Sequence, residues 1–149
     1  MRAKKYTQEQ RIARLENVEE FKRLRESDIP EEYHRAAHEE AGIEVWENVL
    51  AKYPGMAFWV VQNKTVPVSI LEGLAKHRDS QVKDMVARKR KIPESLMLVL
   101  SKDEDWTVRM ALTYNGKVTE RVLNVLVSDD KECVRVNASE KLQALTSKG

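Results

Sequence analysis

Three cations recur at one place in a repeated pattern. Val82-Lys83, Val108-Arg109 and Val134-Arg135 stand 26 residues apart, then 26 again. Asp103 lies six residues before Arg109, and Asp129 six before Arg135. Opposite charges at a constant offset can pair with each other or with a ligand. In the earlier unit His77 stands where the acid would be, so Lys83 is expected to be freer to meet something else.

A second cluster is Arg88-Lys89-Arg90-Lys91, with Lys64 and Lys117 in the equivalent turns of neighbouring units. If those turns stack along one edge, Lys64, Lys83, Arg88, Lys89, Arg90, Lys91 and Lys117 offer a row of cations. Such a row could hold phosphates with salt-dependent affinity, or could be a solvated edge. Only Tyr114 interleaves with it, which is poor provision for base stacking.

Other chemistry is thinly supported. His34 and His38 share a helical face at i, i+4, but Glu39 is not inside an H-E-x-x-H motif and no third ligand is evident. No metal is expected. No nucleophile–base pair, phosphate loop or signature carboxylate pair occurs, so no catalytic residue and no cofactor is assigned, and an enzyme is not expected.

The elements that must position these residues follow from the apolar columns. Val66, Ile92 and Val118 repeat at 26 residues, as do Ile70, Leu96 and Val122, then Leu71, Met97 and Leu123, then Leu74, Leu100 and Leu126. A period of this length marks a solenoid, in which each unit buries its apolar face against its neighbours. Helix A of each unit carries a trio at i, i+3, i+4: Met56/Trp59/Val60, Val82/Met85/Val86, Val108/Ala111/Leu112 and Val134/Asn137/Ala138. Polar turns follow at Asn63-Lys-Thr, Lys89-Arg-Lys and Asn115-Gly-Lys, where Asn and Gly suit a left-handed helix end. Pro67, Pro93 and Thr119 open helix B, and Asp79 and Asp105 begin the next helix A.

Before the regular units, Thr7-Gln-Glu-Gln10 reads as a capping box. Ile12, Leu15, Val18, Phe21 and Leu24 then predict a helix over 8–26, with charges on its other face. Helices over 30–40 and 43–52 follow, with Gly42 between them and Val45, Trp46 and Val49 inward. The chain divides as a single domain: a capping helix in 1–29, a degenerate repeat in 30–52, regular repeats in 53–78, 79–104 and 105–130, and a partial one in 131–149 with a frayed end from Gln143.

The string Leu100-x-x-Asp103-x-Asp105-Trp106-x-Val108-Arg109, then Asn115, then Leu123-x-x-Leu126, resembles the leucine-rich repeat variant family, within the wider HEAT-like helical repeats. The resemblance covers about residues 53–140. It implies an all-α, right-handed α-solenoid with an α-helix and a shorter, often 3₁₀, helix per unit. It implies that the Asp103/Arg109 and Asp129/Arg135 offsets form an ion-pair ladder between successive units, and that Trp106 is packing. Two features depart from the family. The iron–sulfur cysteines found beside some of these repeats are missing, and Asn63-Lys64 and Asn115-Gly116 replace the frequent Asn-Pro. HEAT-like alkylpurine DNA glycosylases use aromatics and an Asp around a flipped base, of which Asp105-Trp106 is a faint echo.

Composition sets the outer limits. Of 149 residues 42% are hydrophobic and 34% charged, which is globular composition with a heavily charged surface. No run of 18 apolar residues crosses a membrane. The single cysteine, Cys133, excludes an internal disulfide and suits a reducing cytoplasm. The net charge of +2 hides an asymmetry: 9 − 12 = −3 over residues 1–50 and 17 − 12 = +5 over 51–149. The reading is a non-catalytic scaffold that presents a surface to a macromolecule, with a protein as partner. Nucleic-acid binding through the basic edge, with base-excision chemistry at its furthest extension, is the rival.

Overall fold

In the computed structural model, which describes residues 14–147, the chain is all-α apart from two strands of two residues each. It divides into two compact units, Met1–Ile70 and Leu71–Gly149.

Among the described residues, unit 1 begins with β1 (Arg14–Leu15). The expectation of a helix over 8–26 is corrected here: α1 spans Val18–Arg25. The cause is Asn17. Its side chain accepts from the Glu20 amide at 2.9 Å, and the Glu20 carboxylate reaches back to the Glu16 amide at 2.9 Å. These reciprocal bonds fix a helix start and leave Leu15 in extended backbone before it. The capping box at Thr7–Gln10 and Ile12 lie outside the described residues.

Pro30 opens α2 (Pro30–His38), and Glu31 and Glu32 sit favourably in its first turn. The helix stops two residues before the expected end because Glu40–Ala41 becomes β2, parallel to β1, with Arg14 opposite Glu40 and Leu15 opposite Ala41. Gly42 then caps α3 (Ile43–Lys52). A 3₁₀ turn, Pro54–Met56, leads into α4 (Ala57–Gln62). The core of the unit gathers Leu15, Phe21, Leu24, Trp46, Val49 and Val60, all nearly solvent-free, with the Phe21 and Trp46 rings edge-to-face at 5.3 Å.

One residue of α1 departs from the expected charged face. Arg25 is 7% exposed. Its guanidinium lies over the Trp59 ring at 3.6 Å and over the Tyr33 ring at 4.1 Å, and Nη2 donates to the Tyr33 hydroxyl at 2.9 Å. Trp59, expected on the core stripe, is only half-buried and forms one wall of this sandwich.

The division between the units falls within α5 (Val68–Leu74). Unit 2 then holds α6 (Ser80–Arg88), α7 (Glu94–Leu100), α8 (Trp106–Thr113), α9 (Glu120–Leu126) and α10 (Glu132–Ser147). α8 packs against α6 and α10, while α9 packs against α7 and α10. Asp79 and Asp105 start their helices by accepting from the amides of Gln81 and Thr107, and Thr119 accepts from the Val122 amide. Each repeated apolar column is buried: Ile92 and Val118, Leu96 and Val122, Met97 and Leu123, Leu100 and Leu126, Val108 and Val134. α10 continues to Ser147, so the frayed end expected from Gln143 is replaced by helix.

The turns after the helices are not left-handed. No described residue has positive φ, and Asn63 lies at φ −62°, ψ 132°. What Asn63 and Asn115 supply is side-chain hydrogen bonding.

Candidate binding surface

The 26-residue cations are structural in unit 2, but their partners are not the expected ones. Lys83 Nζ meets the Asp103 carboxylate at 2.9 Å. Arg109 meets Asp129 twenty residues on, Nε to Oδ2 at 2.7 Å and Nη2 to Oδ1 at 3.0 Å. The acid six residues earlier contributes its main-chain oxygen: Arg109 Nη1 donates to Asp103 O at 2.7 Å, and Arg135 Nη1 to Asp129 O at 2.8 Å. The ladder therefore runs cation to following acid, and the six-residue offset is a bond to backbone.

Geometry explains the exchange. Asp103 and Asp129 close the turns that precede α8 and α10, each accepting through Oδ1 from the amide two residues on, at 2.9 Å. That turn aims the carboxylate at the preceding cation and leaves the main-chain oxygen for the following one. Lys83, expected to be freer than its equivalents, is held: its side chain is 13% exposed and that of Asp103 11%. Burial raises the Asp129 carboxyl, but the Arg109 guanidinium and the Lys131 amide outweigh it and hold the pKa below the ordinary value.

Two further devices tie helices together. Asn115 is buried; its Nδ2 donates to Ala87 O at 2.8 Å and Lys89 O at 2.9 Å, while Oδ1 accepts from the Lys117 amide at 2.7 Å. Asn63 repeats this in unit 1, donating to Ala36 O at 2.9 Å and Glu39 O at 3.1 Å and accepting from the Thr65 amide at 2.8 Å. Each asparagine satisfies helix-end carbonyls that would otherwise lack partners. The second device is Asp105, whose carboxylate accepts from the Ser80 hydroxyl and from the Thr107 amide and hydroxyl at 2.8 and 2.6 Å. These donors lower its pKa to about 2. It is a helix cap that is ionised at neutral pH. Trp106 beside it is 39% exposed, with Lys131 Nζ 5.0 Å from its ring centre; the expectation of a packed tryptophan is corrected.

Part of the basic edge is brought together in unit 2. The Asn115 bonds draw the 115–117 turn onto the end of α6. Arg90 lays its guanidinium against Gly116, where any Cβ would collide with it. Lys117 follows in the same exposed turn. Arg88 pairs with Asp84 at 2.5 Å and lies 5.2 Å from the Tyr114 ring centre. The Tyr114 hydroxyl in turn accepts from Asn137 Nδ2 at 3.0 Å, so one ring face and the hydroxyl have protein partners. Burial lowers the pKa of Lys91. Lys89 contributes its carbonyl to Asn115, and the Lys64 amide donates to Ala37 O in unit 1 at 2.8 Å.

The histidines of α2 stack, with ring centres 3.9 Å apart, and His38 Nδ1 bonds the His34 carbonyl at 3.0 Å. Among the described residues no group of three or more His, Cys, Asp and Glu is placed to hold a metal, and no helix is long and apolar enough to cross a membrane.

Sequence reasoning passed over Arg25, the Ser80–Asp105 bond and the asparagine bonds. Only the last left a signal: Asn63 and Asn115 are two repeat lengths apart. Comparison of the chain with known protein families, characterised proteins and solved structures finds no match.

Proposed function

We propose that this chain is a right-handed solenoid of 26-residue helical units, of the leucine-rich repeat variant kind, and that it serves as a non-catalytic scaffold binding a protein partner. The observation that carries the reading is how the repeated polar groups are used. Lys83, Asp103, Arg109, Asp129 and Asp105 all bond helix to helix or cap a helix. Large apolar side chains meanwhile stand at the surface of unit 2. Val99 and Val125, one repeat apart, are 58% and 37% exposed, and Tyr114 and Val136 are 53% and 46% exposed. Exposed apolar groups held on a bonded framework suit association. The single cysteine fits a reducing cytoplasm.

Tyr114 offers a base less than its exposure suggests, because Arg88 lies over one face of its ring at 5.2 Å. The test is affinity capture from the source cell with and without nuclease. A specific protein retained after nuclease treatment is expected. Retention of nucleic acid alone would sink the proposal.

A further inference from the structure

Arg25 has buried donors that stand unmatched: among the described residues Nε and Nη1 have no hydrogen-bond partner, while Nη2 donates to the Tyr33 hydroxyl. A buried lysine or carboxylic acid can lose its charge by titrating, but arginine keeps its proton. The cation therefore stays inside unit 1 and wants a counter-charge. Two aromatic faces offset part of that cost. They cannot accept the in-plane N–H groups.

Four acids on or beside the neighbouring helices are engaged elsewhere. On α1, Glu19 holds Lys52 and Tyr53, and Glu20 holds Arg35. Glu26, just past its end, holds Lys22. On α2, Glu32 holds Arg23 and the Ser27 hydroxyl. The missing counter-charge is not among these groups. With the guanidinium lying over both rings, a partner has to meet it in its own plane, at the buried Nε and Nη1. In that plane the guanidinium fork matches a carboxylate, which can accept two parallel N–H bonds.

We propose that Arg25 is the anchor of a carboxylate site, filled by an acidic side chain of the protein partner, with Tyr33 as the movable wall. Tyr33 is 45% exposed and is the more open of the two rings. Turning it outward frees Nη2 from its hydroxyl and opens the guanidinium on the side the ring covers. The carboxylate then accepts the N–H groups that are orphaned in the free protein. This rests on the protein-partner reading above and locates one contact of it.

The experiment follows the Arg25 Nε–H signal by ¹H–¹⁵N NMR while acetate is titrated into the intact protein, with chloride at matched ionic strength as control. It is paired with partner capture by wild type, R25M and R25K, each checked for folding by its thermal melt. A saturable acetate-specific shift, with partner lost in R25M and not restored by R25K, is expected. No acetate shift overturns the site even where a partner is captured, which leaves the scaffold reading standing. An acetate shift with the partner retained by a folded R25M overturns delivery by the partner and assigns a free small carboxylate. An acetate shift with no captured protein removes the scaffold reading and that source together. Should R25M fail to fold, the wild-type titration still decides whether the site exists.

Discussion

Arg109 grips Asp129 side-on, through Nε at 2.7 Å and Nη2 at 3.0 Å, with both side chains nearly out of water at 12% and 5% exposed. Its third nitrogen reaches back to the Asp103 carbonyl. One side chain thus bonds both turns that flank α8–α9. Replacing only one member of so buried a pair strands the other charge, and Arg109→Ala is expected to cost about 3 kcal/mol in urea unfolding. Lys117→Ala, in an exposed turn, should stay within about 0.5 kcal/mol. Equal losses would remove Arg109 from the framework and restore it as a ligand contact.

Leu100 and Val99 are sequence neighbours with opposite fates, 1% and 58% exposed. Leu100→Ala should destabilise by about 2–5 kcal/mol, the range for truncating a buried leucine. Val99→Ala should change stability by less than about 0.5 kcal/mol. A reversed order in chemical denaturation would mean that the register of α7 is wrong.

Asn115→Ala leaves the carbonyls of Ala87 and Lys89 without their donor. A loss of about 1–3 kcal/mol is expected, the scale for an orphaned buried polar group. Asn115→Asp replaces that donor with an ionised acceptor facing two carbonyls, and should cost more at neutral pH than at low pH. A melt insensitive to both changes would show that water serves the carbonyls equally well.

Asp105 gives a pH signature. Its ordinary value is 3.8 and its folded value about 2, so the folded state favours the ionised form. The unfolded chain then binds the proton more readily, and stability falls as pH drops from about 4 through about 2. Asp129, lowered by Arg109, acts in the same direction. Asp105→Asn should flatten the acid limb of the stability curve. An unchanged limb would deny Ser80 and Thr107 the role assigned to them.

Neutralising Arg88, Lys89, Arg90 and Lys91 together tests the rival function. Wild type should bind RNA or DNA no better than about 10⁻⁴–10⁻⁶ M at physiological salt, the level of non-specific phosphate attraction. Sub-micromolar, salt-steep binding that vanishes in the quadruple variant would overturn the protein-partner proposal. Release of a damaged base would further make Asp105 and Trp106 the residues to substitute first.

The sequence by itself determined which residues lie inside the repeats. Leu100, Leu126, Val108, Val134 and their columns are buried where the 26-residue period puts them, because burial needs only a side chain of the right kind on the right face of a helix. It also determined where most helices begin, since Asp79, Asp105, Thr119 and Pro30 act on amides or torsions within a few residues of themselves. The choice of polar partner was left to the tertiary structure. From spacing alone Asp103 belonged to Arg109; in the fold its carboxylate belongs to Lys83 and only its carbonyl to Arg109. Arg25 read as one more surface charge and is enclosed by two rings from other elements. Leu15 kept the helical spacing and stands in a strand, because Glu40–Ala41 offers a partner and Asn17 starts the helix after it. Hydrophobic burial is non-directional and survives being read from periodicity. Hydrogen bonds and ion pairs are directional at about 3 Å, a distance that exists only once the turns have placed two helices side by side.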